Sequence, residues 1–155
     1  MKLLRFGELG KEKPAALDKT GKIRDLSQHV IDFNSSTLNF GTLEKLKKLN
    51  LESLPEVPSS TRIGSCIAKP GKFLAVGLNY SDHAAETNAE IPKEPIIFNK
   101  AANCMIGPND NIILPRLSKK LDWEVEIAFV IGKDTKYINE KDASNHILGY
   151  CIVND

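Results

Sequence analysis

The chain has 155 residues, which is enough for one domain or for one small domain with part of another. Its 21 lysine and arginine residues balance 20 aspartate and glutamate residues, so neither a nucleic-acid surface nor an anionic-membrane surface is predicted. No apolar run has the length of a membrane span, and the start lacks the apolar stretch of a secretory signal. Three cysteines, Cys66, Cys104 and Cys151, have no paired spacing, which argues against a disulfide framework and against a thiolate zinc site. Together these totals predict a soluble protein of a reducing cytoplasm.

The first part of the chain reads as short strands joined by turns. The stretches "KLLRFG" and "PAALDKTGKIRDLS" are predicted strands, and Thr20-Gly21 is the clearest turn, with residues 15–17 and Ile23 as the arms of a hairpin. A short helix is predicted to follow, beginning near Gly41-Thr42, because leucines recur at helical spacing over residues 43–49. Prolines and serines over 55–60 form the first linker, so we place a domain boundary near residues 60–70.

The second part is richer in apolar runs and is predicted to contain five strands. They are "KFLAVGL", "EPIIFNK", "NIILP", "DWEVEIAFVIG" and "LGYCIVND". A short helix, "NEKDASNHI", is predicted immediately before the last of them.

The fourth of these strands alternates strictly between acidic and apolar residues. Trp123, Val125 and Ile127 point to one side, which we interpret as a core face, while Glu124 and Glu126 point to the other. The two carboxylates then lie about 6.7 Å apart. Their repulsion costs on the order of 2 kcal/mol at an effective dielectric constant of 20. A divalent cation would relieve it, and oxygen ligands suit magnesium, manganese or calcium. A solvated strand with two glutamates is the alternative.

A small acid–base cluster follows the strand "KFLAVGL". Asn79 or Ser81 can cap a helix, and in that helix His83 and Glu86 lie on the same face because residues three apart are neighbours. Glu86 could then hold the imidazole in one tautomer and raise its basicity. The alternative is an ordinary helix start in which His83 is a surface residue.

The segment that contains His83 and the acidic strand that contains Glu124 occur in this order along the chain, with "EPIIFNK" and "GPNDNIILP" between them and "GYCIVND" after them. This combination, "GLNYSDHAAE … PIIFNK … GPND … DWEVEIAFVIGK … GYCIVND", resembles the fumarylacetoacetate hydrolase family, specifically its short bacterial acylpyruvate-hydrolase branch. The start of the chain is similar to the small N-terminal domain of members that act as ureidoglycolate lyases or diketo-deoxy-sugar-acid hydrolases.

The resemblance implies a role for particular residues. The family's metal ligands correspond to Glu124, Glu126 and Asp155. The implied ion is Mg²⁺ or Mn²⁺, with Ca²⁺ also possible. The family's catalytic histidine corresponds to His83 and its carboxylate partner to Glu86.

One further position, Lys100 in "FNK", corresponds to a substrate contact. The implied fold is α+β and mostly β. A small mixed N-terminal domain over residues 1–65 precedes the first part of a β-roll catalytic domain over 66–155. Because the family's catalytic domain continues beyond the third ligand, the chain is expected to be truncated, and the complete enzyme is expected to be a homodimer.

The implied activity is metal-dependent hydrolysis of a carbon–carbon bond in an acylpyruvate or another 2,4-dioxo acid, with a 2-oxo acid as the bound substrate. A lyase, isomerase or decarboxylase of the same superfamily, for example one acting on ureidoglycolate, is the alternative within enzymes. An inactive truncated remnant is the alternative outside them, and the fragment alone is expected to be inactive.

Overall fold

The protein is described by a computed structural model that covers residues 1–155. Strands predominate, which confirms the α+β, mostly-β class. The strands are β1 (Lys2–Phe6), β2 (Lys13–Leu17), β3 (Ile23–Asp25), β4 (Glu56–Val57), β5 (Ile63–Gly64), β6 (Leu74–Gly77), β7 (Ile96–Asn99), β8 (Val125–Ile131) and β9 (Ile147–Asn154). The helices are α1 (Phe40–Lys47) and α2 (Ser81–Glu86), with 3₁₀ turns at Leu51–Ser53, Ala102–Cys104 and Glu140–His146. Neither α-helix has the length or the apolar run that crossing a lipid bilayer requires.

The chain divides into two compact units. Unit 1 contains Met1–Ala68 and Gly107–Asp155, and unit 2 contains Lys69–Ile106. The first junction falls within the boundary region predicted from the sequence. The last part of the chain, however, belongs to the same compact unit as the first. The division into domains of residues 1–65 and 66–155 stays a prediction.

Unit 1 contains a five-stranded antiparallel sheet in the order β4-β3-β2-β1-β5. The predicted hairpin at Thr20-Gly21 is confirmed, since β2 pairs with β3 from Leu17↔Ile23 to Ala15↔Asp25. Gly21 has a φ of +83°, in the left-handed region that a residue without a Cβ adopts at little cost. The turn sequence therefore sets the register of the hairpin.

The carboxylate of Asp18 organises this turn. It accepts hydrogen bonds from the backbone N–H of Thr20 at 2.8 Å, from the Thr20 hydroxyl at 2.7 Å and from the backbone N–H of Lys22 at 3.0 Å. The guanidinium of Arg24 donates a fourth bond at 2.7 Å, and the Asp18 side chain is fully buried. The hydroxyl of Thr20, followed by the ion pair with Arg24, lowers the pKa of Asp18 well below its usual range.

We expect this carboxylate to make the stability of the chain fall in acid. Because the folded-state pKa of Asp18 is depressed, its stabilisation is complete above the unfolded-state value of about 3.9. The stabilisation is lost progressively as the pH falls below about 4. Urea unfolding of wild type and Asp18→Asn at pH 7 and pH 3 measures the effect. The mutant should be less stable at pH 7 and should lose less stability between the two pH values. Glu52→Gln, which changes an exposed carboxylate, is the control. An equal loss of stability between pH 7 and pH 3 in all three proteins would contradict the assignment.

The hydrophobic core of unit 1 lies against this sheet. Ala16 of β2 packs with Leu26, Val30, Phe33 and Leu46, and partly buried leucines surround them. Helix α1 begins one residue before the predicted start, because Asn39 caps it by accepting the backbone N–H of Thr42 at 3.0 Å. Leu46 is the residue of α1 that enters the core, and it is 2% exposed.

An ionic network joins the beginning of the chain to the motif "GPND". The guanidinium of Arg62 donates to both oxygens of Asp110, at 2.8 and 2.5 Å, and to Glu12 at 2.9 Å. Arg5, itself buried, donates to both oxygens of Asp32, at 2.6 and 3.0 Å, and approaches Glu12 at 3.5 Å. Bidentate arginine–carboxylate pairs fix orientation as well as charge. The network therefore anchors the segment that re-enters unit 1 at Gly107.

Strands β8 and β9 form a two-stranded antiparallel ribbon with a register shift at Val130/Ile131. The apolar side of β8, predicted above to be a core face, is instead exposed: Trp123 and Ile127 are each 72% exposed. Its neighbours on β9 are exposed as well, with Ile152 at 78%. The alternation was predicted correctly, but the face is open because no other element of this chain packs on it.

Two other sequence expectations are wrong. The stretch "NIILP" over 111–115 is not a strand, because no neighbouring strand pairs with it. The predicted caps of α2 are also not used: the residue that precedes the helix is Tyr80, and no side chain caps the helix. Unit 2 contains the antiparallel strand pair β6–β7, the helix α2 between the two strands, the 3₁₀ turn at Ala102–Cys104 and connecting loops.

Candidate metal centre

The ribbon β8–β9 positions the carboxylates predicted to bind metal. Glu126 lies within β8 opposite Val153 of β9, and Glu124 immediately precedes the strand. Because side chains alternate along an extended chain, both glutamates lie on the side opposite Ile127. Glu126 is half-buried and Glu124 is exposed.

Backbone pairing continues past the end of β8 and brings in the third carboxylate. The N–H of Asp155 donates to the carbonyl of Glu124 at 2.9 Å, and the N–H of Glu124 donates to the side-chain oxygen of Asn154 at 2.9 Å. No sequence pattern marks Asn154, since its contact depends on a register that only the folded ribbon fixes. Asn154 and Asp155 together hold the backbone at Glu124.

The three side chains come together as a cluster. One carboxylate oxygen from each of Glu124, Glu126 and Asp155 lies within 4.8 Å of the other two. Neither Glu124 nor Glu126 forms an ion pair with a lysine or arginine, so their charges are not neutralised within the chain.

These residues fit a divalent cation. Oxygens on opposite sides of an octahedral Mg²⁺ lie about 4.2 Å apart, since each metal–oxygen distance is about 2.1 Å. Three oxygens on one ion cannot all lie opposite one another, and adjacent ones are about 3.0 Å apart, so the side chains must rotate toward each other before all three can coordinate. A set made only of carboxylates suits magnesium, manganese or calcium better than zinc. The roles of the three residues as ligands stay predictions.

His83 and Glu86 lie on α2 in unit 2, and both are exposed. The backbone N–H of His83 donates to the side chain of Asp82 at 3.0 Å, and the carbonyl of His83 accepts the Thr87 hydroxyl at 3.0 Å. The imidazole of His83 and the carboxylate of Glu86 form no hydrogen bond with each other. Their predicted pairing and their catalytic roles therefore stay predictions.

The turn that leads into α2 has an unusual backbone. Leu78, between β6 and the helix, has a φ of +49°, in the left-handed region that residues with a Cβ adopt at a cost of about 1 kcal/mol. Such conformations concentrate at functional sites. The sequence offered no signal for this feature, because leucine does not mark a positive φ as glycine or asparagine does.

Lys100 follows β7, also in unit 2. Its backbone N–H donates to the carbonyl of Phe73 at 2.8 Å, and its ammonium lies 5.1 Å from the centre of the Phe98 ring. These contacts position the side chain, and its predicted contact with substrate stays a prediction.

The chain is similar in sequence to a known protein family. A family model described as the C-terminal domain of fumarylacetoacetate (FAA) hydrolase matches residues 72–155. A predicted hydrolase of Burkholderia ambifaria is 48% identical over all 155 residues, which cover 55% of that protein. The chain thus spans about half the length of the curated relatives it matches.

Solved structures show the same fold. A predicted 2-hydroxyhepta-2,4-diene-1,7-dioate isomerase of Mycobacterium abscessus is 30% identical, with a TM-score of 0.73 over the whole of this chain and 52% of that one. A maleylpyruvate hydrolase of Sphingobium sp. SYK-6, solved with manganese(II) and pyruvate, is 20% identical. Its TM-score is 0.77 over the whole of this chain and 58% of its own.

Proposed function

The chain belongs to the fumarylacetoacetate hydrolase family, and on that premise we propose that it forms part of a divalent-metal-dependent hydrolase. The substrate class is an acylpyruvate or another 2,4-dioxo acid, and the bond cleaved is a carbon–carbon bond. The observation that carries the proposal is the convergence of Glu124, Glu126 and Asp155 within 4.8 Å. The manganese and pyruvate bound by the structurally similar maleylpyruvate hydrolase support this choice of ion and of substrate class.

The carboxylates of the cluster would hold Mg²⁺ or Mn²⁺, with Ca²⁺ also compatible with their oxygen donors. A bound divalent ion supplies Lewis-acid stabilisation of the negative charge that develops on the oxygens of a 2-oxo acid. The ribbon contributes rigidity, because the hydrogen bonds that the Glu124 backbone makes with the Asn154 side chain and the Asp155 backbone hold two of the ligands to one another. Ligands fixed in this way lose little freedom on binding.

Proton transfer is assigned to His83. As a general base, the imidazole would remove a proton from the water that attacks the second carbonyl of the substrate. Glu86 would hold the ring in one tautomer, which requires its side chain to turn toward His83 from the adjacent helical position. Lys100 would provide positive charge for a carboxylate of the substrate. The whole enzyme is proposed to be a cytoplasmic homodimer.

Isomerisation is the second candidate, favoured by the 30% identity to the predicted isomerase of Mycobacterium abscessus. The two reactions differ in the fate of water. Hydrolysis places one oxygen atom from water in the carboxylic acid product, whereas isomerisation leaves the substrate's atoms unchanged in number.

The test is an assay of the protein, extended to the full length of its relatives, with a panel of acylpyruvates in ¹⁸O-labelled water and either Mg²⁺ or Mn²⁺. We expect metal-dependent loss of substrate, with label in the acid product. An isomeric product without label would replace hydrolysis by isomerisation. If the protein binds the metal but turns over no member of the panel, this substrate class is excluded.

A further inference from the structure

The backbone of Glu124 is held by two consecutive residues at the end of the β8–β9 ribbon. Its carbonyl accepts the backbone N–H of Asp155, and its N–H donates to the side-chain amide oxygen of Asn154, each at 2.9 Å. The first bond is of the kind that pairs strands, whereas the second uses a side chain as the acceptor. Because Glu124 precedes β8, this side chain extends the pairing by one residue beyond the strand.

The bond from Asn154 lies where the attachment of this segment to β9 begins. One residue earlier, the N–H of Trp123 bonds within its own segment, to the carboxylate of Asp122 at 2.8 Å. Glu124 is therefore the first residue of the stretch 121–124 whose N–H is tied to β9. Loss of the Asn154 acceptor would leave Glu124 attached to β9 through its carbonyl alone.

Glu124 needs this support because like charges meet around it. One carboxylate oxygen from each of Glu124, Glu126 and Asp155 lies within 4.8 Å of the other two. Before a cation binds, their repulsion favours a movement of Glu124 away from the cluster, since this residue is exposed and lies just outside the strand. A hydrogen bond that fixes its backbone opposes the movement.

We propose that Asn154 is a positioning residue for the metal site: its amide oxygen fixes the backbone of Glu124 and thereby keeps the Glu124 carboxylate beside those of Glu126 and Asp155. Asn154 is not itself a ligand in this proposal. The inference rests on the proposed metal-binding function, which it extends from the three carboxylates to a neutral residue that acts through one of them.

The chemistry of asparagine suits this role. Its amide oxygen accepts a hydrogen bond without carrying a charge, whereas an aspartate at the same position would add a fourth negative charge beside the three carboxylates. A group that orients a metal ligand affects metal affinity without touching the ion. Because Asn154 is exposed, water competes for its hydrogen bond, so the expected effect on affinity is moderate.

Hydrogen exchange in the metal-free, 155-residue chain tests the contact itself. Asn154→Leu keeps the approximate size of the side chain and removes the acceptor. We expect the amide of Glu124 to exchange about tenfold faster in this variant than in wild type, as measured by NMR. The amide of Ala128, in the middle of the ribbon, should exchange as in wild type, which separates a local effect from a general loss of stability. Asn154→Asp retains an acceptor and should restore slow exchange at Glu124.

Calorimetric titration with manganese tests the consequence for the site. The dissociation constant should rise about three- to tenfold in Asn154→Leu, which corresponds to the loss of one hydrogen bond. Asn154→Asp should bind manganese at least as tightly as wild type, because it accepts the same bond and adds a negative charge. Asn139→Leu, a change of an exposed asparagine outside the ribbon, is the control and should keep wild-type affinity.

The outcomes separate this inference from the function on which it rests. Manganese binding by wild type with unchanged affinity in Asn154→Leu would overturn the positioning role alone, as would unchanged exchange at Glu124. A wild type that binds no manganese would overturn the metal site and the positioning role together. If Asn154→Leu does not fold, Asn154→Ala removes the same acceptor, and the same results decide.

Discussion

Addition of manganese or magnesium should raise the temperature at which the wild-type chain unfolds. The carboxylates of Glu124, Glu126 and Asp155 come together only in the folded ribbon, so a bound cation stabilises the folded state over the unfolded one. At a metal concentration about a hundred times the dissociation constant, the gain is about 2.7 kcal/mol. For a chain of this size, that corresponds to a shift of roughly 5 to 10 °C. Differential scanning calorimetry with and without the metal measures it.

Glu126→Gln should remove most of this shift. Glutamine keeps the size of the side chain but removes a negative charge, so metal binding weakens while the metal-free protein is as stable as wild type or slightly more stable. Glu140→Gln is the matched control, because Glu140 is an exposed glutamate outside the cluster, and it should keep the full shift. A wild type without a metal-dependent shift, or Glu126→Gln with the wild-type shift, would show that these carboxylates are not ligands.

Replacement of His83 by alanine should lower the turnover number by roughly a hundredfold or more in an active, full-length form of the protein. A hundredfold loss corresponds to about 2.7 kcal/mol of transition-state stabilisation. In the proposed mechanism, this variant lacks the base that accepts the proton from water. Steady-state kinetics with a saturating acylpyruvate measures the turnover number, and a calorimetric titration with manganese measures metal affinity in the same mutant.

The two measurements separate catalysis from structure. His83→Ala should keep wild-type metal affinity, because the histidine is not part of the carboxylate cluster. His146→Ala is the matched control, since His146 is a histidine outside α2 whose ring bonds to the Thr135 hydroxyl at 2.8 Å. It should keep wild-type turnover. Unchanged turnover in His83→Ala would reduce His83 to a surface residue of α2.

Local sequence patterns predicted most of the strands and failed where a tertiary partner decides the outcome. The β2–β3 hairpin was predictable, since a glycine that tolerates a positive φ lies between two apolar arms. The stretch "NIILP" has equally strong strand propensity but has no neighbouring strand to pair with. The apolar face of β8 was recognised from its period of two, yet a period cannot tell whether anything covers the face.

In the candidate site, too, local features could be predicted from the sequence, whereas contacts between distant segments could not. The spacing of Glu124 and Glu126 on one strand is a local property, so their shared face could be inferred from the sequence. The position of Asp155 followed from the family resemblance, and its proximity depends on how β9 pairs with β8. The contact between Asn154 and Glu124 could not be predicted, because it depends on the register of distant segments.

The exposed apolar face of the β8–β9 ribbon has a consequence for the thermodynamics of unfolding. The heat-capacity change and the denaturant m-value both grow with the surface that unfolding newly exposes to water. Side chains such as Trp123, Ile127 and Ile152 are already largely hydrated in the folded chain, so they contribute little to either quantity. The curve of stability against temperature should therefore be flatter, per residue, than that of a fully packed domain. Any surface that came to cover this ribbon would steepen the curve.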